Sequence, residues 1–345
     1  MGLNIREIVS KKECKIKDFK NQTLCVDAFN TIYQFLSTIR QADGSPLMDE
    51  KGYITSHLSG ILYRTIALLT EGVKLIYVFD GKAPELKGKI HKIRGEARDK
   101  AKEKYEAAKD SEDIENMRKY SSQSIRLEDE MIVEAKELLE ALGVCVIQAP
   151  SEGEAQGAYL ASLKKAEGII SQDYDSLIFG TPILIRNLTV SRKRKTSSGY
   201  QEIKPEKIIL QDLLDELEIN RDQLICLAIL VGTDYNPKGI FRIGQKKALQ
   251  IVKEFQTPEK IFKSVEEKIK KMDEKDQFNW KEIFELFKNP EVKVFDIKFP
   301  EPTPEKVKEL LIKKHGFSQE RIQKQLDKLE DIKKQRNQKT IDKWF

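Results

Sequence analysis

The segment GIISQDYDSLIFG, Gly168–Gly180, sets a short apolar run directly before two acids, Asp173 and Asp175, that flank Tyr174. Three earlier stretches share that character: TLCVD (Thr23–Asp27), KLIYVFD (Lys74–Asp80) and GVCVIQAP (Gly143–Pro150). With EGIIS (Glu167–Ser171) they make four candidate strands, short and rich in β-formers. Helical periodicity separates them. HLSGILYRTIALLTEG reads as one helix, and LEDEMIVEAKELLEALG as another that stops at Gly143. Strands alternating with helices predict an α/β fold, a mostly parallel central sheet with helices on both faces.

The 345 residues suffice for a large core, and 39% hydrophobic with 34% charged residues describes a globular chain with a heavily charged surface. That length suggests about one to three domains. No run of about 18 apolar residues suggests a membrane span. The N-terminus, MGLNIREIVSKK, lacks the apolar stretch of a secretory signal, and Arg6 stands where a myristoylation pattern requires Ser or Thr. Cys14, Cys25, Cys145 and Cys226 are scattered and read as small buried hydrophobes in a reducing compartment. His57, His91 and His315 are scattered too, which leaves little material for a zinc site or His-based catalysis. The net charge of +5 decides little, so the distribution of charge carries the reading.

Between the second and third candidate strands, Gly81–Arg126 is densely basic, and Ile90, Ile93, Ala97, Ala101, Tyr105 and Ala108 recur every three or four positions. That stripe is thin for a core-facing helix, and the segment reads as a mobile basic helical insertion beside the sheet. ILIRNLTVSRKRKTSSGYQEI reads as a hairpin with a basic tip at Arg192–Lys195, and the second half of the chain is mainly helical.

Asp27 ends the first strand, Asp80 the second, Glu152 and Glu154 follow the third, and Asp173 and Asp175 follow the fourth. Asp234, in ILVGTDYN, ends a helix that could reach the same place. In open α/β sheets, ligands bind outside the carboxyl ends of the strands. Each acid alone has a structural explanation: Ser151 with Glu154 fits a capping box, Asp173 and Asp175 suit a turn, and Asp80-Gly81 is a common turn dipeptide. Together the acids are costly. Two like charges about 4 Å apart repel by roughly 4 kcal/mol at an effective dielectric of about 20. Several such pairs rival the roughly 5–15 kcal/mol that stabilises a whole domain. Divalent cations would relieve the repulsion, and oxygen ligands without His or Cys suit Mg²⁺ or Mn²⁺. Two such ions about 3.5–4 Å apart form a phosphoryl-transfer site. The absence of a GxxxxGK[ST] loop disfavours nucleotide hydrolysis and leaves phosphodiester hydrolysis as the better reading.

VDAFNTIYQFL, SHLSGILYRTI, YVFDGKAPELK, APSEGEAQ, SQDYDSLIFG and VGTDY then occur in an order that resembles the XPG-type structure-specific 5′ nucleases and, within them, the flap endonucleases. The resemblance implies a PIN-like nuclease core over 1–330, with an arch insertion at 82–128 and a helix-hairpin-helix-type duplex-binding motif at 222–257. It implies two Mg²⁺ ions, one held by Asp27, Asp80, Glu152 and Glu154 and the other by Asp173, Asp175 and Asp234, with Mn²⁺ able to substitute. Lys87 and Arg94, seven apart on one helix face, match a basic pair that approaches the scissile phosphate. Tyr33 matches an aromatic that stacks on a base there. Arg40, Gly244, Lys246 and Lys247 are further DNA-contact candidates. SHLSGILYRTI matches the part that accepts a one-nucleotide 3′ flap. The hairpin departs from the family's Gly-Ile-Gly, since this chain has Arg242-Ile243-Gly244. Arginine does not adopt glycine-only angles cheaply, which puts the family's K⁺ site there in question.

The last residues, QRNQKTIDKWF, place Gln338, Ile341, Trp344 and Phe345 in the spacing of a motif that docks on the sliding clamp, proliferating cell nuclear antigen. A terminal aromatic pair suits a binding anchor on a tail, 331–345, expected to be flexible. The implied activity is clamp-stimulated cleavage of 5′ flaps in Okazaki-fragment maturation and repair, with 5′–3′ exonuclease activity, by a monomer with no membrane partner. A related 5′ exonuclease or a Holliday-junction nuclease is the alternative enzyme, and a non-catalytic clamp-bound scaffold the alternative without chemistry. The tail lacks the basic extension of eukaryotic relatives, so the expected setting is an archaeal cytoplasm, nucleoid-associated; a eukaryotic chain would be nuclear.

Overall fold

The structure, a computed structural model, describes residues 3–41, 43–111, 113–190, 193–196 and 199–341. Its strands in chain order are β1 (Lys12–Glu13), β2 (Thr23–Asp27), β3 (Lys74–Phe79), β4 (Cys145–Gln148), β5 (Gly168–Ile170), β6 (Ile183–Arg186), β7 (Lys193–Thr196), β8 (Gly199–Glu202) and β9 (Glu206–Ile209). Seven of them form one sheet in the order β1-β9-β6-β5-β2-β3-β4. The pairs β2–β3, β3–β4, β2–β5 and β5–β6 are parallel, while β9 runs antiparallel to β6 and β1.

The parallel strands are continuous apolar runs because helices cover both faces. Alternate residues feed two cores. Leu24, Val26, Leu75, Tyr77, Phe79 and Ile170 face one, and Cys25, Ile76, Val78 and Ile169 face the other. After β2 the chain adds β3 and β4 on one side, then crosses to lay down β5 and β6 on the other. The topological switch therefore falls at β2, where the carboxyl ends of β2, β3 and β5 lie side by side.

The helices that build and flank the site are α1 (Ala28–Thr38), α2 (Ser56–Thr70), α3 (Gly88–Asp110), α4 (Ile114–Gln123), α5 (Asp129–Ala141), α6 (Gly153–Ser162), α7 (Asp175–Ile178), α8 (Leu210–Leu217), α9 (Arg221–Val231) and α10 (Gln245–Phe255). α1, α2 and α5 pack on one core; α6 to α10 contribute to the other. The basic insertion forms α3 and α4, which pack on each other and bury Ala101 and Ala108. Among the described side chains of α3 no other is buried.

Two expectations shift. The segment after β6 is a long hairpin, β6 against β9 with β7 against β8 beyond, so Lys193–Lys195 lies along a strand and not at the turn; Arg192 lies outside the described residues. The final helix runs Gln319–Ile341, past residue 330, and packs on α2. Gln338 and Ile341 fall on that helix, and Trp344 and Phe345 lie outside the described residues.

Candidate active site

The seven acids predicted from sequence come together in one cavity of about 430 Å³, which Lys87, Arg94 and Tyr33 also line. A larger cavity of about 940 Å³ lies along β4 and the segment from Phe295 to Thr303, lined by apolar groups and scattered charges of both signs. The convergent chemistry belongs to the smaller one.

Local backbone explains each placement. Asp27 ends β2 and caps α1, accepting from the Asn30 amide at 3.0 Å. Asp80 follows β3 and accepts from the Gly153 amide at 2.7 Å. A Cβ at Gly153 would stand 2.7 Å from Asp80 Oδ1, so the first residue of α6 must be glycine for that bond to form. Glu152, rather than Ser151, occupies the N-cap of α6, and its side chain makes no capping bond. The capping-box explanation therefore fails, and both glutamates are free to face the cavity. Asp175 opens the short helix α7 and accepts from the Leu3 amide at 2.8 Å. Tyr174 points into the apolar core, where its hydroxyl accepts from Arg186 at 2.7 Å. That orientation belongs to a turn between β5 and α7 and not to the alternation of a strand.

Burial governs the electrostatics. It raises the Asp27 carboxyl well above its ordinary range, with the charge of Asp80 adding to it. Burial and then Asp27 do the same to Glu154. Asp80 is pushed up to about 6 by burial and then Glu152, and Asp175 to about 7 by burial and then Asp173. Asp173 is raised chiefly by burial. Two cations from the insertion answer this field. Lys87 Nζ donates to Glu152 Oε2 at 2.6 Å and lies 3.9 Å from Asp234. Burial alone would lower the Lys87 pKa, but Glu152, Asp234 and Asp80 outweigh it and raise it. Arg94 donates to Asp234 Oδ1 at 2.6 Å. Among the described residues, no three His, Cys, Asp or Glu groups close into a ready cation cage. The acids surround a space, with Lys87 and Arg94 between them.

Tyr33 lines the cavity with the Arg98 guanidinium 5.4 Å from its ring centroid. Arg40 does not line it. Its guanidinium donates to the carbonyls of Ser37, Gly44 and Ser121 and to the Ser121 hydroxyl, joining the end of α1 to α4. Gly244, Lys246 and Lys247 form an exposed patch at the start of α10, with Gly244 at its N-cap. Arg242 takes the left-handed conformation, φ 60°, so the hairpin keeps its turn without the glycine. The strain, about 1–2 kcal/mol, is small enough for the chain to bear. The guanidinium lies 5.0 Å from the ring centroid of Phe241, which is 72% exposed.

Three residues outside the predicted set orient the acids. Asn30 donates from Nδ2 to Asp173 at 2.8 Å and accepts the Gln172 amide on Oδ1 at 3.1 Å. Ser171 donates to Glu154 at 3.0 Å. Tyr235 donates to Glu152 at 3.0 Å. Asn30 lies one helical turn from Asp27, Ser171 two residues before Asp173 and Tyr235 directly after Asp234, and that nearness was the only signal that marked them.

The model of the XPG N-terminal domain matches residues 3–101 and that of the XPG I-region residues 143–234; all seven acids fall within these segments. Flap endonuclease 1 of Thermococcus onnurineus is 47% identical over 348 residues, spanning 100% of this chain and 99% of that protein. Flap endonuclease 1 of Pyrococcus furiosus is 46% identical, with coverage of 100% and 99%. The solved structure of flap endonuclease-1 from Methanococcus jannaschii superposes with TM-score 0.74 at 35% identity, covering 96% of this chain and 98% of that one. The catalytic core of Rad2 in complex with DNA substrate superposes with TM-score 0.67 at 22% identity, covering 94% and 97%, a likeness of fold.

Proposed function

The chain belongs to the XPG-type nucleases and, within them, to the flap endonucleases, and from that premise we propose that its acid-lined cavity hydrolyses a DNA phosphodiester where a 5′ flap leaves the duplex. The observation that carries the proposal is the convergence of seven acids from the ends of β2, β3, β5 and α9 and the start of α6 on one cavity faced by Lys87 and Arg94. The donor set fits hard divalent cations: every candidate ligand is a carboxylate, and burial makes their combined charge costly without a counter-ion. Asp27, Asp80, Glu152 and Glu154 would hold one Mg²⁺ and Asp173, Asp175 and Asp234 a second, directly or through water, with Mn²⁺ able to replace them. Bound there, the two ions would activate an attacking water and offset charge on the departing oxygen.

The chain's own residues do the rest. Lys87 and Arg94 exchange their carboxylate partners for phosphate oxygens and neutralise charge at the scissile group. Tyr33 stacks on the adjoining base. α3 and α4 form the arch past which the 5′ strand runs, and the amides and lysines at the start of α10 hold the duplex backbone. The residues from Gln338 to Phe345 dock on the sliding clamp, placing the enzyme at Okazaki-fragment junctions and repair sites.

Asp173→Asn tests the reading on flap, nicked and four-way DNA in Mg²⁺. Asparagine keeps an oxygen for the Asn30 bond but removes the charge. Flap cleavage is expected to fall by roughly 10³-fold or more while flap binding stays measurable. Full activity overturns the metal role, and preferential cutting of four-way junctions moves the substrate to the sister branch of the family.

A further inference from the structure

Tyr235 follows Asp234 in the chain and is 9% exposed, its ring set edge-on against Phe287 with centroids 5.4 Å apart. Its hydroxyl donates to Glu152 Oε1 at 3.0 Å, while Lys87 takes Oε2 of the same carboxylate at 2.6 Å. Lys87 Nζ also lies 5.5 Å from the centroid of the Tyr235 ring. One side chain therefore touches both a candidate cation ligand and the lysine that the insertion delivers. We propose that Tyr235 is a positioning residue with two separable parts: the hydroxyl orients the Glu152 carboxylate, and the ring seats Lys87.

This inference rests on the two-cation reading above. Glu152 sits at the N-cap of α6 with no backbone amide to steady its side chain. A carboxylate held only by a lysine on a separate insertion would swing with that insertion. The hydroxyl pins one oxygen to the core through a ring that is itself packed. A phenol, with an ordinary pKa of about 10, carries its proton at neutral pH and can donate that bond. Partners that hold a metal ligand in place commonly change metal affinity by about 10–100-fold when removed.

Tyr235→Phe removes the hydroxyl and keeps the ring; Tyr235→Leu removes both. Mn²⁺ binding, followed by electron paramagnetic resonance on the full-length chain without DNA, should weaken about 10-fold in Tyr235→Phe. The rate deficit of that variant should narrow as Mg²⁺ is raised, with KM for flap DNA unchanged. Tyr235→Leu should show the same weakening together with a slower single-turnover rate at saturating Mg²⁺. Adding Lys87→Ala to Tyr235→Leu should then cost less than Lys87→Ala costs alone. Unaltered Mn²⁺ affinity in Tyr235→Phe overturns the hydroxyl's role, even if Tyr235→Leu fails to fold. Independent, multiplying effects of Tyr235→Leu and Lys87→Ala overturn the ring's role. An unmodified protein that binds no Mn²⁺ and cleaves without divalent ions would instead overturn the two-cation reading, and this inference with it.

Discussion

Asp27 and Asp175 are buried carboxyls of one cavity and Glu154 a half-buried one, and each holds its proton more tightly than an exposed acid does. Such residues are poor choices for stability. Hydrogen bonds from the Asn30 and Leu3 amides and from the Ser171 and Asn30 side chains orient the acids but add no positive charge. Charge comes from Lys87 and Arg94, and both sit on the insertion. Both cations meet a carboxylate at 2.6 Å, but Lys87 is the more buried and also lies 3.9 Å from Asp234, so its ammonium is the better placed to act on a phosphate at the cavity. Replacing Lys87 with Ala should slow single-turnover cleavage by roughly 10²-fold, as loss of one preorganised donor commonly does. Binding of flap DNA should weaken far less. A loss confined to affinity would reassign Lys87 to gripping the backbone.

At the scale of elements, α2, α5 and the C-terminal segment meet around His57, Glu134 and His315. His315 lies between two carboxylates, 2.9 Å from Asp49 and 2.9 Å from Glu134, and Lys314 adds a bond to Glu134 at 2.6 Å. Burial would raise the Glu134 pKa, but the bonds from Lys314 and His315 outweigh it and hold it low. His57, fully buried on α2, is pushed down from 6.5 to about 4 by burial. Its folded pKa lies below the unfolded one, so its neutral form supports the fold above pH 6.5. That support is lost as the pH falls toward about 4, because the unfolded chain takes the proton first. The slope is about 1.4 kcal/mol per pH unit for one proton. His57→Leu should therefore flatten the stability profile between these limits in urea unfolding at stepped pH. An unchanged slope would mean that His57 titrates normally in the folded protein.

For the whole molecule, the site exists because one topology brings separate chain segments to the same edge. The acids span Asp27 to Asp234, and the parallel order β4-β3-β2-β5-β6 sets their strand ends together. The insertion brings Lys87, Arg94 and Arg98 to the same cavity, while the exposed patch of Gly244, Lys246 and Lys247 lies on a separate element at the start of α10. On the function proposed above, Gln338–Phe345 bind the sliding clamp. Deleting Gln338–Phe345 should remove stimulation of flap cleavage by the clamp, read as the ratio of rates with and without it. Stimulation that persists would place the clamp contact elsewhere in the chain.

The four parallel strands β2 to β5, the major helices and the strand-end position of the acids were legible in the sequence because periodicity and strand-end position are local properties; β1 and β9, which complete the sheet, were not. Four runs of β-formers separated by amphipathic helices leave little choice but a parallel sheet, and acids directly after such runs must fall at its carboxyl edge. Asn30, Ser171 and Tyr235 could not be read in the same way. A side chain's partner across tens of residues follows from packing, and nothing in NTIY or TDYN announces which carboxylate will be met. The same holds for Arg40, a basic residue whose type suggested DNA and whose guanidinium is taken up by backbone carbonyls on three sides. Glu152 supplanted Ser151 as the cap for a related reason, since the exact start of α6 depends on how Gly153 fits against Asp80. Chemical type and order along the chain are written locally and specify the kind of site; which groups share a hydrogen bond is settled only when distant segments are held at fixed distance by a common core.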